Sequence, residues 1–103
     1  MADIVVNVDQ GATAPLPIAI PGFGGSPVGA RISQVISADL QRSELFRPLE
    51  PSTFQEQIGD VNVQPSFDKW KSISAQALLT GQVVGDSEGR LRVDFRLWDV
   101  YAG

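Results

Sequence analysis

Residues 22–29 read Gly-Phe-Gly-Gly-Ser-Pro-Val-Gly. A glycine-rich stretch between a strand and a helix is a common seat for phosphate, because the free N–H groups of a helix start attract anions. The dinucleotide pattern G-x-G-x-x-G, begun at Gly22, requires glycine at position 27, where Pro27 stands. A P-loop requires Gly-Lys-Ser/Thr, and no lysine precedes Lys69. A lone glycine match is a weak signal. The favoured reading of Gly22 to Gly29 is a plain strand-to-helix turn, and the alternative is a small-molecule or anion-binding α/β domain.

Twelve carboxylates could include a general acid/base pair. Asp94 and Asp99 flank the last expected strand, and Asp39 and Glu44 belong to a helix end. Nothing beside them in the sequence would shift their pKa values, so a solvated face is favoured over catalysis. Trp70 and Trp98 could stack on a sugar or base, but both lie on apolar faces, which favours core packing. Cysteine and histidine are absent. That excludes a disulfide, a thiolate nucleophile, a Cys/His zinc site and a Ser-His-Asp triad. The expectation is a chain with no catalytic residue, no cofactor and no metal.

The amino-terminal stretch differs from the rest. Residues 1–26 contain Asp3 and Asp9 but no Lys or Arg. They hold a short β-prone segment beside a Gly-containing linker. Such a segment can be a mobile arm that docks on its own domain or adds a strand to another protein's sheet edge. It can equally be an ordinary first strand, and both readings stay open.

The elements that would position these residues follow from patterning. Ile4-Val-Val-Asn-Val8 is β-branched and suits a strand. In residues 15–20, Leu16, Ile18 and Ile20 alternate, and Pro15 and Pro17 push this strand toward an edge or a strand start. Ser26-Pro27 reads as a helix start, with Ser26 capping and Pro27 in the first turn. That helix should run to about Ser43, with Val28, Ile32, Val35, Ile36 and Leu40 on one face. A short strand is expected over 45–49, a helical turn over 51–57 with Ser52 as its cap, and irregular chain over 58–64. Ser66 opens a shorter helix whose Phe67, Trp70 and Ile73 share a face. Residues 77–84 form an apolar run that reads as a buried strand, and 85–89 a turn. Leu91, Val93, Phe95 and Leu97 alternate with Arg92, Asp94 and Arg96, the mark of a half-exposed strand. Residues 77–99 therefore read as a β-hairpin. The fold class is α/β of the α+β type, a mixed sheet with two main helices packed on one face.

With 103 residues, 43% hydrophobic and 19% charged, the chain is sized for one domain with one core. The net charge of −4 and the scattered basic residues argue against nucleic acid as a partner. An accessory domain of an RNA-binding enzyme is disfavoured for the same reason. No apolar run approaches the ~20 residues of a membrane span, so no membrane insertion is expected. No signal peptide is expected after Met1-Ala2-Asp3, which leaves either a cytosolic chain or a mature exported one. The ending at Tyr101-Ala-Gly103, directly after a strand, suggests a cut within a longer protein.

In order along the chain come Ile4-Val-Val-Asn-Val8, Pro17-Ile-Ala-Ile-Pro-Gly-Phe23, Ile36-Ser-Ala-Asp-Leu40 and Ser43-Glu-Leu-Phe46. Trp70 to Ala77, Thr80-Gly-Gln-Val83 and Phe95-Arg-Leu-Trp-Asp-Val100 complete the series. It resembles the TolB amino-terminal domain family of the Gram-negative Tol-Pal system over almost the whole chain. Glu44 stands where that family frequently has glycine. The resemblance implies an anticodon-binding-domain-like architecture for residues 14–103, incomplete at the carboxy-terminal end, with residues 1–13 as arm or first strand. It implies a periplasmic, non-enzymatic adaptor of the cell envelope whose full-length form carries a β-propeller that binds the lipoprotein Pal. It further implies that the amino-terminal segment engages TolA. The matching positions are Asp3, Ile4, Val5, Val6, Asn7, Val8, Asp9, Gln10, Gly11, Ala12 and Thr13, with residues 10–14 matched by position only.

Overall fold

The computed structural model describes residues 14–102. The expected strand over residues 4–8 lies outside them. Four strands and two helices follow one another as β1 (Leu16–Ala19), α1 (Gly29–Arg42), β2 (Phe46–Pro48), α2 (Phe67–Lys71), β3 (Ala77–Gly85) and β4 (Leu91–Asp99). A single 3-10 turn at Pro51–Thr53 follows β2. Thr53 Oγ1 and the Thr53 N–H both donate to the Glu50 carbonyl there, and Ser52 makes no cap.

The sheet order is β2-β1-β3-β4. β1 runs parallel to both neighbours, with Leu16 opposite Phe46 and Ile18 opposite Ala77. β3 and β4 are antiparallel over nine paired positions, the expected hairpin. β1 is therefore interior, and of the two readings its prolines allow, an edge or a strand start, the second holds, with Pro15 just before the strand and Pro17 second in it. Leu16 N–H donates to the Leu45 carbonyl and the Ile18 carbonyl accepts from Leu49 N–H, so both face the β2 side. The Pro17 carbonyl faces the other way and accepts from Gln76 N–H at 3.1 Å. Pairing of β1 with β3 begins only at Ile18, so the N–H that Pro17 lacks would meet no ladder partner. Pro48 sits on the short outer strand β2, where proline is tolerated.

The helices lie on opposite faces of the sheet, a correction to the one-face expectation. Ile18, Ile20, Ala77 and Leu79 point to one side, where Phe23 and the helix side chains Ile32, Ile36 and Leu40 cover them. Ala19, Leu78 and Val100 point to the other, where Trp70, Ala75, Ile58, Phe54 and Phe67 gather. β3 is thus covered on both faces along most of its length, which accounts for its unbroken apolar reading. Phe67, Trp70 and Ile73 do share a face, as their spacing predicts.

The reach of α1 follows from local chemistry. The helix begins at Gly29, later than the expected start near Ser26. Pro27 lies in the preceding turn, where Gly29 N–H donates to the Ser26 carbonyl and Val28 N–H to Ser26 Oγ. Ser26 therefore shapes the turn and does not cap the helix, whose N-cap is Val28. Val35, expected in the buried stripe, is exposed. The helix ends at Arg42 with Ser43 as its C-cap, and Glu44 follows with φ +63. That left-handed conformation just past a helix end suits glycine.

Replacing Glu44 with glycine should raise stability by about 0.5–1 kcal/mol, since only the left-handed strain is removed. Urea denaturation of parent and Glu44→Gly measures this, and an unchanged or lowered midpoint would contradict the strain argument.

Candidate interaction surfaces

The glycine loop is the first candidate. Gly24 N–H donates to the Gly81 carbonyl at 3.2 Å, and the Gly24 carbonyl accepts from Val83 N–H at 2.8 Å. The loop is thereby stitched to β3, with Gly24 opposite Gln82. A Cβ on Gly24 would stand 2.4 Å from the Gly59 carbonyl oxygen, and one on Gly29 would stand 2.0 Å from that of Phe23. These glycines are bare because backbone packs against backbone there. No Lys or Arg occurs in residues 22–29 to pair with an anion. The arrangement is a structural clasp.

Beside it, an open groove of about 340 Å³ runs along α1, lined by Ile20, Gly22, Ser33, Gln34, Gln41 and Leu49 among others. None of its lining residues titrates. Ser33 Oγ donates to the Ala30 carbonyl, so its hydroxyl serves the helix itself.

Two carboxylates, Asp94 and Asp86, are held in their ionised form. Arg92 donates to both carboxylate oxygens of Asp94 at 2.9 and 3.2 Å, and Gln82 Nε2 donates to Oδ2. The Arg92 hydrogen bonds hold the Asp94 pKa below its ordinary value. Asp86 accepts from the backbone N–H groups of Arg90 and Glu88 and from the Arg90 side chain. The Arg90 backbone bond is the main cause of its lowered pKa. A general acid at neutral pH needs the opposite shift. Asp39 pairs with Arg42 on the helix surface. Asp99 Oδ1 accepts from Ala102 N–H. Among the described residues no three of Asp, Glu, His and Cys gather as a metal-ligand group.

Trp70 is a core residue, and Trp98 packs half-buried against the same cluster. Trp70 is fully buried, edge-on to Phe54 at 5.1 Å between ring centroids, and its Nε1–H donates to Glu56 Oε1. Trp98 Nε1–H donates to Thr80 Oγ1, and its ring meets Phe67 edge-on.

One surface was not legible as such. Leu91, Val93, Phe95 and Leu97 are 57%, 38%, 68% and 40% exposed. The alternation along β4 is as expected, but among the described residues its apolar side is exposed like the side of Arg92 and Arg96, because α1 does not reach that far across the sheet. Alternation reveals two faces and leaves unsaid which of them another element covers. The expected partner-binding residues 3–13 lie outside the described residues.

The model of the TolB amino-terminal domain family matches residues 4–103. This chain belongs to that family. A Tol-Pal system protein TolB from Paramagnetospirillum magneticum is 43% identical over 105 residues, covering 97% of this chain and 24% of that protein. The chain thus spans about a quarter of the length of this curated relative. A crystal structure of TolB from Acinetobacter baumannii is similar with a TM-score of 0.65 over 87% of this chain and 21% of that one. At 21% identity it supports the fold alone. The mixed sheet and two helices are those of a TolB amino-terminal domain.

Two outcomes follow. Titration with phosphate and nucleotides should leave the amide resonances of Gly24 to Gly29 in place; saturable shifts there would restore the anion-site reading. The contribution of Asp86 should be complete above its ordinary pKa of 3.8 and fade as pH falls through the lowered folded value. The stability gap between parent and Asp86→Ala, followed by thermal melts, should therefore narrow from pH 7 to pH 2. A gap that is constant with pH would contradict it.

Proposed function

We propose that this domain is a non-enzymatic adaptor of the Tol-Pal cell-envelope system that works in the periplasm and binds the TolA carboxy-terminal domain through residues 3–13. The observation that carries the reading is the family match, which extends from residue 4 to residue 103. The lack of a titrating group around the groove and the ionised, surface-held carboxylates favour binding over chemistry.

The residues of the arm suit strand addition. Main-chain hydrogen bonds to an open sheet edge supply affinity, and alternate side chains choose the register. Ile4 and Val6 would face one way, Val5 and Asn7 the other. An arm that is either docked or released is also a two-state element, and a partner that binds one state shifts affinity for another. Through that coupling the arm would link TolA engagement to Pal binding by the propeller of the full-length protein. Outer-membrane integrity, cell division and bacteriocin uptake would then depend on it.

The test is a calorimetric titration of the chain, with and without residues 1–13, against a TolA carboxy-terminal domain. Removal of the arm should weaken binding at least about a hundredfold, since it deletes the whole recognition element. Equal affinity for both versions would sink the assignment.

A further inference from the structure

The two faces of the sheet are covered in different ways. On one lies the regular helix α1. On the other lie residues 50–75, which hold one 3-10 turn and the five-residue α2 and are otherwise irregular. Both ends of this segment are fastened to neighbouring residues of one strand. Leu49 N–H donates to the Ile18 carbonyl at 2.9 Å, and Gln76 N–H donates to the Pro17 carbonyl at 3.1 Å. The segment therefore stands on a narrow base, like a surface loop whose ends are close and which is packed by its own side chains.

Its hydrogen bonds close on themselves. Glu56 Oε1 accepts from Ser66 N–H and from Trp70 Nε1–H, which ties the irregular chain to α2. Gln55 Nε2 donates to Ser72 Oγ at 3.0 Å. The N–H groups of Phe54, Val63 and Ala75 donate to the carbonyls of Pro51, Asp60 and Trp70. Among the described residues a single hydrogen bond crosses from residues 50–75 to the rest of the domain, from Val61 N–H to Gln82 Oε1 at 3.1 Å. The segment is otherwise held by contact. Ile58, Trp70 and Ala75 are buried, and with Phe54 and Phe67 they gather on Ala19, Leu78 and Val100. Gly59 lies against the backbone of Gly24.

We propose that residues 50–75 form a flap that lifts from the sheet as one unit while α1 and the four strands stay folded. A strand leaving a sheet loses a ladder of hydrogen bonds, whereas this segment keeps its own and loses one. Contiguous units of this kind open at a lower free energy than the whole domain. The core that remains, Ile18, Ile20, Phe23, Ala77 and Leu79 under α1, lies on the opposite face and is not touched by the movement. Positions for the two hinges are present at the base. Glu50 is extended, with ψ 123, just before Pro51. Ser74 is held at φ +63, a left-handed conformation that serine adopts at a cost. Residues at the ends of elements are where such rotations are absorbed. Lifting bares Ala19, Leu78 and Val100, so the domain has a second state with a different apolar face. A ligand that binds one of the two states better shifts the balance between them.

Native-state hydrogen exchange on the chain, followed by NMR in low urea, tests this. The Phe54, Val61, Ser66 and Ala75 amides and the Trp70 indole N–H should share one opening equilibrium with one dependence on urea. That opening should be at least about tenfold more populated than the opening of the α1 and β3 amides. Values that coincide with those of α1 and β3 make the domain one cooperative unit and overturn the proposal. Values scattered among the five protons mean separate fraying and overturn it as well. Gln82→Leu removes the single tie and should speed these protons about five- to tenfold while α1 is unchanged. Asp94→Ala removes the other partner of Gln82 and leaves the tie, so it should not speed them. Equal acceleration by the two variants, or acceleration shared by α1, refutes the flap.

Discussion

The ring of Phe23 lies on the bare backbone of Gly81, and much of the domain is arranged around that contact. A Cβ on Gly81 would stand 2.5 Å from the ring atoms, so any other residue would lift the ring from the sheet. With the ring seated, the chain leaving β1 is drawn along β3, where Gly24 adds one more bridge. The helix α1 can start only after this clasp, and its Ile32, Ile36 and Leu40 then descend on the β1 and β3 side chains. The same placement sets the limit of the cover. Phe23 and α1 shield the sheet as far as β3, and β4 lies beyond them.

Much of this order was legible from residue types. The helical spacing of Ile32, Ile36 and Leu40, the β-hairpin and the shared face of Phe67, Trp70 and Ile73 are local patterns that tertiary packing left intact. The misses have one physical root, since each depended on which neighbour an element meets. Pro15 and Pro17 left an edge and a strand start open, and only the neighbours decide for the start: the donor that Pro17 lacks would have pointed where the β3 ladder has not begun. Val35 satisfied the helical period but lies outside the strip that the sheet can cover. The two helices were expected together on one face, and only the alternation of Ile18 with Ala19 and of Ala77 with Leu78 separates them. The candidate site was least legible. Residues 22–29 read as a plain strand-to-helix turn with an anion site as the alternative, and what the reading did not show is that Gly24, Gly25 and Gly29 are sites of close backbone approach.

The chemistry of the surface agrees with the family to which the chain belongs. Among the described residues, titrating side chains are paired or solvated, and the buried polar side chains have their hydrogen bonds made. The Trp70 indole is satisfied by Glu56, which also accepts from Ser66 N–H and so ties the irregular segment before α2 to the core.

Recognition through backbone has a consequence for specificity. Main-chain hydrogen bonds are nearly the same for every strand, so an edge that relies on them alone would accept many partners. Selectivity must come from the side chains that flank the ladder, and a shift by one position exchanges every one of them for its opposite face. β4 carries an apolar row on one side and the sequence Arg92, Asp94, Arg96 on the other, so a wrong register meets both a mismatched surface and like charges. The register of β4 is therefore set more by its side chains than by its backbone. The three-residue β2, with Pro48 in it, carries less of either signal. Discrimination between the two ends of the sheet is in this way written into strand length, the placement of Pro48 and the sign of three charges.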